Sequence, residues 1–272
     1  MSDLKVKPIP SESKKRKPAL KLLNKNLPKL PMTCMVLGSV GSGKSSCIYS
    51  LLTEKGGYTV KGKSIFDEIV CFIGNQESVW AFEQIPCKNK KIFTEFDIDA
   101  FDEYMEDLKG HQMERLEKNR APLEVLVLFD DFLGVSLMKK KKGDDSNPLE
   151  RLCLTSRHEA NCSLIFLSQV YKSSGFSTST IRNNIMTYII YAMSRSEMEK
   201  IAEENSYSIT KDEFIDEYYK ILETPYNYMT IDTRRPFKTR IWERFSHPVV
   251  SQLKRDKKEE KKELRILEIK DA

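Results

Sequence analysis

The residues in this 272-residue chain with the most specific chemistry are Gly38-Ser39-Val40-Gly41-Ser42-Gly43-Lys44-Ser45, which match G-x-x-x-x-G-K-[ST] in full. The chemistry is polyphosphate binding. Glycines let a backbone take positive φ and close around phosphate oxygens. Successive amides at a helix start form an anion nest that the helix dipole reinforces. Lys44 would reach the β- and γ-phosphates, and the Ser45 hydroxyl would ligate Mg2+. Gly38, Ser39, Val40, Gly41, Ser42, Gly43, Lys44, Ser45 and Ser46 are therefore the expected contacts of a magnesium nucleotide.

A second group suits the same chemistry. Val125–Phe129 is an apolar run that ends in Asp130 and Asp131. Carboxylates at the end of a buried strand need a cation or a polar network nearby. Beside a phosphate loop, Asp130 is expected to hold the metal and Asp131 to orient or deprotonate the attacking water. Ser163–Leu167 is another apolar run, followed by Ser168 and Gln169, and Gln169 is expected to sense a γ-phosphate or position water, the alternative being a strand-ending side chain bonded locally. Arg182 and Arg157 are both candidates to stabilise charge on a transferring phosphoryl group from a neighbouring subunit, with Arg182 preferred. The three histidines, His111, His158 and His247, show no metal-ligand spacing.

The elements that must position these groups alternate. Met32–Leu37 reads as a buried strand and Lys44–Lys55 as a helix closed by Gly56 and Gly57. Strands follow at 68–73, 91–94, 125–129, 163–167 and 186–191, with helices at 97–116, 149–160, 195–204 and 210–222. The last helix opens on a capping box, Thr210-x-x-Glu213. Residues 226–231 and 237–242 suit a closing hairpin. The expected fold is α/β, a mainly parallel central sheet flanked by helices with a C-terminal hairpin.

Charge divides the chain into an arm at 1–31, a domain at 32–248 and a tail at 249–272. The arm has nine Lys/Arg against Asp3 and Glu12, a balance of +7, so the remainder of this +5 chain is near neutral. With five prolines the arm is expected to be flexible, either touching nucleic-acid phosphates or serving as a solubilising or localising tail. Lys139–Lys142 is a further concentration of charge, either a DNA-backbone contact or a solvated loop. Cys34, Cys47, Cys71, Cys87, Cys153 and Cys162 form no CxxC pair and fit reduced core positions, which disfavours a disulfide scaffold or a zinc ribbon. No apolar run has membrane-helix length, and a polar, lysine-rich start does not read as a signal peptide.

Together GSVGSGKS (38–45), LVLFDDF (126–132), SRHEANCSLIFLSQ (156–169) and IRNNIMTYIIY (181–191) resemble the genome-packaging ATPases of large DNA viruses, the poxvirus-type branch of the FtsK–HerA P-loop superfamily. The resemblance covers about residues 32–195, and Ser156 stands where the family often has glycine. It implies a RecA-like core, ATP and Mg2+ as cofactors, a homo-oligomeric ring (pentamer or hexamer) and translocation of double-stranded DNA without sequence preference. It also implies a capsid or portal-vertex protein as a partner, no membrane insertion, and a virus-encoded protein in the host-cell cytoplasm, with the virion as a further location. The alternative is a small-molecule or nucleoside kinase, which should carry an arginine-rich lid. A GTPase would need Asn-Lys-x-Asp, whereas Asn89-Lys90-Lys91 is followed by Ile92. A non-catalytic nucleotide module is disfavoured by the intact Lys44, Ser45, Asp130 and Asp131.

Overall fold

In the computed structural model, residues 24–130, 148–172 and 178–249 are described. The apolar runs become strands β1 (Thr33–Leu37), β4 (Glu68–Ile73), β6 (Val125–Asp130), β7 (Cys162–Ser168) and β8 (Thr187–Ile190). The half-polar β5 (Asn89–Phe93) is one edge of the sheet. A small hairpin, β2 (Thr59–Val60) with β3 (Lys63–Ser64), stands apart. β9 (Met229–Asp232), β10 (Ile241–Glu243) and β11 (His247–Pro248) extend the sheet, giving nine strands in the order β11-β10-β9-β8-β1-β7-β6-β4-β5. From β5 to β8 every pairing is parallel, and from β8 to β11 every pairing is antiparallel.

Strand residues alternate between two cores because successive side chains leave opposite faces of a sheet. Met35, Val127 and Phe129 face one core, together with Phe101 and Leu108 of α3 (Ile98–Glu117), Leu152 of α4 (Pro148–Glu159), Met198 of α6 (Arg195–Asn205) and Phe214 of α7 (Lys211–Leu222). Val36, Leu126 and Leu128 face the other, with Ile48 and Leu52 of α1 (Lys44–Thr53) and Phe82 of α2 (Gln76–Glu83). A short α5 (Ser179–Asn184) leads into β8. The capping box at Thr210 is formed in both directions. Register sets Phe72, Phe129 and Phe166 side by side on three strands, and their rings stack at 5.1 and 5.3 Å.

Three features differ from the sequence reading. Residues 24–31, assigned to the flexible arm, pack on the body: Leu27 is buried, the Tyr58 hydroxyl donates to Pro28 O at 2.9 Å, and Arg235 donates to Asn26 O at 2.8 Å. Their lysines point outward while the apolar residues point in. The closing hairpin is shorter than its apolar pattern, with a 3-10 turn at Phe237–Thr239 between its strands. Helices α2 and α5 lacked a long enough apolar period to be read.

All six cysteines are free thiols. Burial pushes the Cys71 and Cys153 thiols up to about 12.

Phe129→Ala empties the middle of the ring stack and should destabilise the chain by about 3–5 kcal/mol. Urea unfolding, comparing midpoints at unchanged slope, measures this.

Candidate functional site

The phosphate-loop residues leave β1 at the carboxyl edge of the sheet and are tied to both neighbouring strand ends. Gly38 N donates to Ser168 O at 3.2 Å, and Ser39 N donates to Ala192 O at 2.8 Å. A Cβ on Gly38 would fall 2.5 Å from Ser42 Oγ and 2.7 Å from Tyr191 Cβ, so only glycine fits this close approach. Gly43 has φ 100°, which turns the loop into α1. It caps that helix without a side-chain hydrogen bond, and the first turn holds no acidic residue. The start of α1 is thus a set of outward amides with no carboxylate of its own, the arrangement that takes up an anion. Lys44 is buried, and its Nζ donates to Gly38 O and Ser39 O, each at 2.9 Å. The ammonium is held inside the loop.

A cleft of about 1140 Å3 opens over the loop. Val40, Gly41, Gly43, Lys44, Ser45 and Ser46 line its floor. Gly38, Ser39 and Ser42 do not line it, and the first two anchor the loop from behind. The opposite wall comes from the far side of β8: Tyr191, Tyr226, Tyr228 and Arg244. Tyr226 and Arg244 both have positive φ, 56° and 50°. Tyr226 is 75% exposed, yet its Cδ1 would lie only 3.6 Å from a Cβ built on Gly43. The Arg244 Nε donates to Asn227 Oδ1 at 2.7 Å, and Asn227 is fixed in turn by bonds to Ile221 O and Glu243. Cys47, also in the cleft, has its thiol pushed up to about 11 by burial, offset in part by hydrogen bonds from Tyr191 and Tyr228. It is a protonated wall residue.

Asp130 closes β6 and is buried, with its carbonyl accepting from Gly74 N at 2.8 Å. Strand order puts β7 between β6 and β1, while register sets Asp130 against Leu167 and Leu37 against Ser168. The acid and the root of the phosphate loop therefore share one edge, two strand spacings or about 10 Å apart. Gln169 follows β7 between them and is exposed. Asp131 and Lys139–Lys142 lie outside the described residues.

Neither candidate arginine lines this cleft. Arg182, in the last turn of α5, donates from Nε to Glu204 Oε2 at 2.9 Å and from Nη2 to Glu204 Oε1 at 3.2 Å, and lies over the Tyr171 ring at 5.4 Å. Arg157 ends α4 at the amino edge of the sheet and touches Met186 Sδ at 3.3 Å. No motif marks the Tyr226–Tyr228–Arg244 wall, because these residues reach the loop only through sheet order.

The poxvirus A32 protein family matches residues 20–227. The chain belongs to that family. The resemblance to packaging ATPases of large DNA viruses, read from four short motifs, is borne out by this membership. No curated protein matches the chain. Among solved structures, B204, the DNA-packaging ATPase of Sulfolobus turreted icosahedral virus, is similar at a TM-score of 0.50 and 13% identity, over 75% of this chain and 94% of that one. The ATPase 2 and 3 portion of EssC from Geobacillus thermodenitrificans is similar at 0.50 and 17%, over 83% of this chain and 43% of that one. Both likenesses are of fold, and they bear out the P-loop sheet architecture that the family chain was expected to have. No described helix is long and apolar enough to cross a membrane.

The Arg182 anchor makes a pH prediction. Burial pushes the Glu204 carboxyl up, but hydrogen bonds from Arg182, Lys172 and Tyr171 outweigh it and hold the group at about 2, against 4.5 unfolded. A depressed carboxylate adds stability that is complete above its unfolded value and is lost as pH falls through the folded one. Glu204→Gln should therefore lower stability at pH 7 by about 1 kcal/mol, a figure reduced for solvent screening of a partly exposed group. The gap to the wild type should close between pH 4.5 and about 2. Urea midpoints across that range test this.

Proposed function

We propose that this chain is an ATP-hydrolysing motor that drives double-stranded DNA into a viral capsid, working as a homo-oligomeric ring at the assembly site in the infected cell. One observation carries the ATPase reading: a helix start with bare amides and a buried ammonium shares a sheet edge with the buried acid Asp130. The order of strands supports it, since β7 leaves room between loop and acid for a γ-phosphate.

The donor chemistry fits Mg2+. Ser45 offers a hydroxyl and Asp130 a carboxylate, both hard oxygens, and phosphate oxygens and water would supply the rest. Bound there, the metal would neutralise charge on the β- and γ-oxygens. Lys44 adds a point charge to the same phosphates. Asp131 takes the role of orienting the attacking water and accepting its proton, and Gln169 the role of sensing the γ-phosphate. Arg182 is the residue proposed to act on a neighbour's nucleotide, which would require its release from Glu204 on assembly. Tyr226 and Tyr228, with Arg244, provide flat faces and a cation where the base of ATP would lie.

Wild-type protein should hydrolyse ATP faster when duplex DNA is added. Lys44→Ala should reduce turnover by on the order of 10²–10³-fold. Asp131→Asn should retain nucleotide and slow turnover by on the order of 10²–10⁴-fold. Nucleoside phosphorylation with no DNA-stimulated hydrolysis would favour the kinase alternative instead. Tyr226→Ala should raise the KM for ATP about tenfold with kcat nearly unchanged, in line with base stacking of ~1–3 kcal/mol. It should leave binding of inorganic triphosphate as it was. An equal loss for both ligands would remove Tyr226 from base recognition.

A further inference from the structure

The turn between β9 and β10 has four cations in seven residues, Arg234, Arg235, Lys238 and Arg240 among them. It lies at the amino edge of the parallel strands, since Thr187 at the start of β8 pairs with Asp232 at the end of β9. The guanidinium groups are fixed. Arg235 lies 4.3 Å over the Trp242 ring and donates to Asn26 O. Arg240 sits between the rings of Tyr207 and Phe237, at 4.5 and 4.1 Å. Arg234 donates to Lys29 O at 2.5 Å. Among the described ion pairs, Asp232 is the one carboxylate in the turn, and it serves both Arg234 and Arg235.

Arg157 adds to this edge from α4. Burial and the nearby charge of Arg234 both pull its pKa down from the ordinary arginine value. Its guanidinium touches Met186 Sδ and His158, and Nε has no hydrogen-bond partner among the described residues. Asp232 offsets part of this positive charge, and an anion from outside would offset the rest. The lysine-rich residues 1–23, with a balance of +5, join the described chain at Asn24, two residues from the Asn26 carbonyl that binds Arg235.

We infer that this edge, formed by Arg157, Arg234, Arg235, Lys238 and Arg240, binds the phosphate backbone of duplex DNA. The assignment rests on the motor reading for the identity of the polyanion and goes beyond it in naming the surface. A duplex fits better than an acidic protein. The edge offers dispersed cations and one exposed aromatic, Phe237, and lacks the apolar centre of a protein interface. Phosphate contacts of this kind carry no sequence information. The surface lies at the opposite edge from the nucleotide cleft, so both ligands can be held together.

The test is fluorescence anisotropy of full-length protein with a labelled 30-base-pair duplex over a salt series, with ATP hydrolysis measured without DNA. The variants are Lys238→Gln, whose side chain has no partner among the described residues, and Arg234→Gln with Lys238→Gln. Each lost phosphate contact should lower the slope of log affinity against log salt by about one. The double variant should bind at least tenfold more weakly near physiological salt, equally for unrelated sequences. DNA-independent hydrolysis should stay as in the wild type. Wild-type binding with unchanged affinity and slope in both variants would overturn this surface while leaving the motor intact. A wild type that hydrolyses ATP but binds no duplex would overturn the motor reading and this assignment together. Binding of an acidic protein that survives only in the wild type, with DNA affinity unaltered, would make the edge a protein dock and also overturn it.

Discussion

The arrangement of the nucleotide end depends on a helix that starts without a capping side chain. α1 begins at Lys44 after the N-cap Gly43, has no side-chain oxygen on its first amides and no acid in its first turn. Most helices satisfy these amides with a capping side chain or with water. Here the loop is instead fastened backwards, through Gly38 and Ser39 to the ends of two other strands, so that its amides stay turned outward. Lys44 is folded onto carbonyls of the same loop. The positive end of the helix and the ammonium therefore share one concavity, and an incoming anion completes it. The sheet order follows from the same requirement. An acid on the strand next to β1 would sit against the loop and neutralise it, whereas β7 keeps Asp130 one strand further away.

What could be read from the sequence was what is local. The loop is a contiguous stretch whose glycines have backbone reasons to be there, and Asp130 follows an apolar run that has no other use for a carboxylate. The strands were legible because buried parallel strands are continuous apolar runs. The rest was hidden for physical reasons. Tyr226, Tyr228 and Arg244 meet the loop only because β1, β8 and β9 are neighbours, and the long-range pairing of Cys34 in β1 with Thr187 in β8 leaves no mark on spacing. Residues 24–31 read as tail since lysines and prolines dominate them, while the contact that holds them is one leucine and a few carbonyls. The cations at 234–240 were passed over because the stretch 237–242 reads as a strand of the closing hairpin. In the fold the rings of Phe237 and Trp242 are what hold the guanidinium groups of Arg240 and Arg235 in place.

The β9–β10 hairpin joins the two edges. β9 begins beside Tyr228 in the nucleotide cleft and ends at Asp232, next to Arg234. β10 returns from Arg240 to Glu243, next to Arg244 in the cleft wall. Arg244 N donates to Tyr228 O at one end, and Asp232 N to Arg240 O at the other. The strands are four and three residues long, so the ends are about 13 Å apart. The hairpin is paired through β9 to β8 as well, so both of its ends belong to one continuous hydrogen-bonded sheet. On the functional reading above, a base resting on Tyr226 and Arg244 and a backbone resting on Arg234 and Lys238 press on opposite ends of the same lever. Coupling between two ligands is reciprocal in free energy, so a DNA that shifts the hairpin alters nucleotide affinity by the factor with which nucleotide alters DNA affinity. A motor needs its grip to change with the state of its nucleotide, and a rigid element that reaches both sites supplies that link without a relay of separate side chains between them.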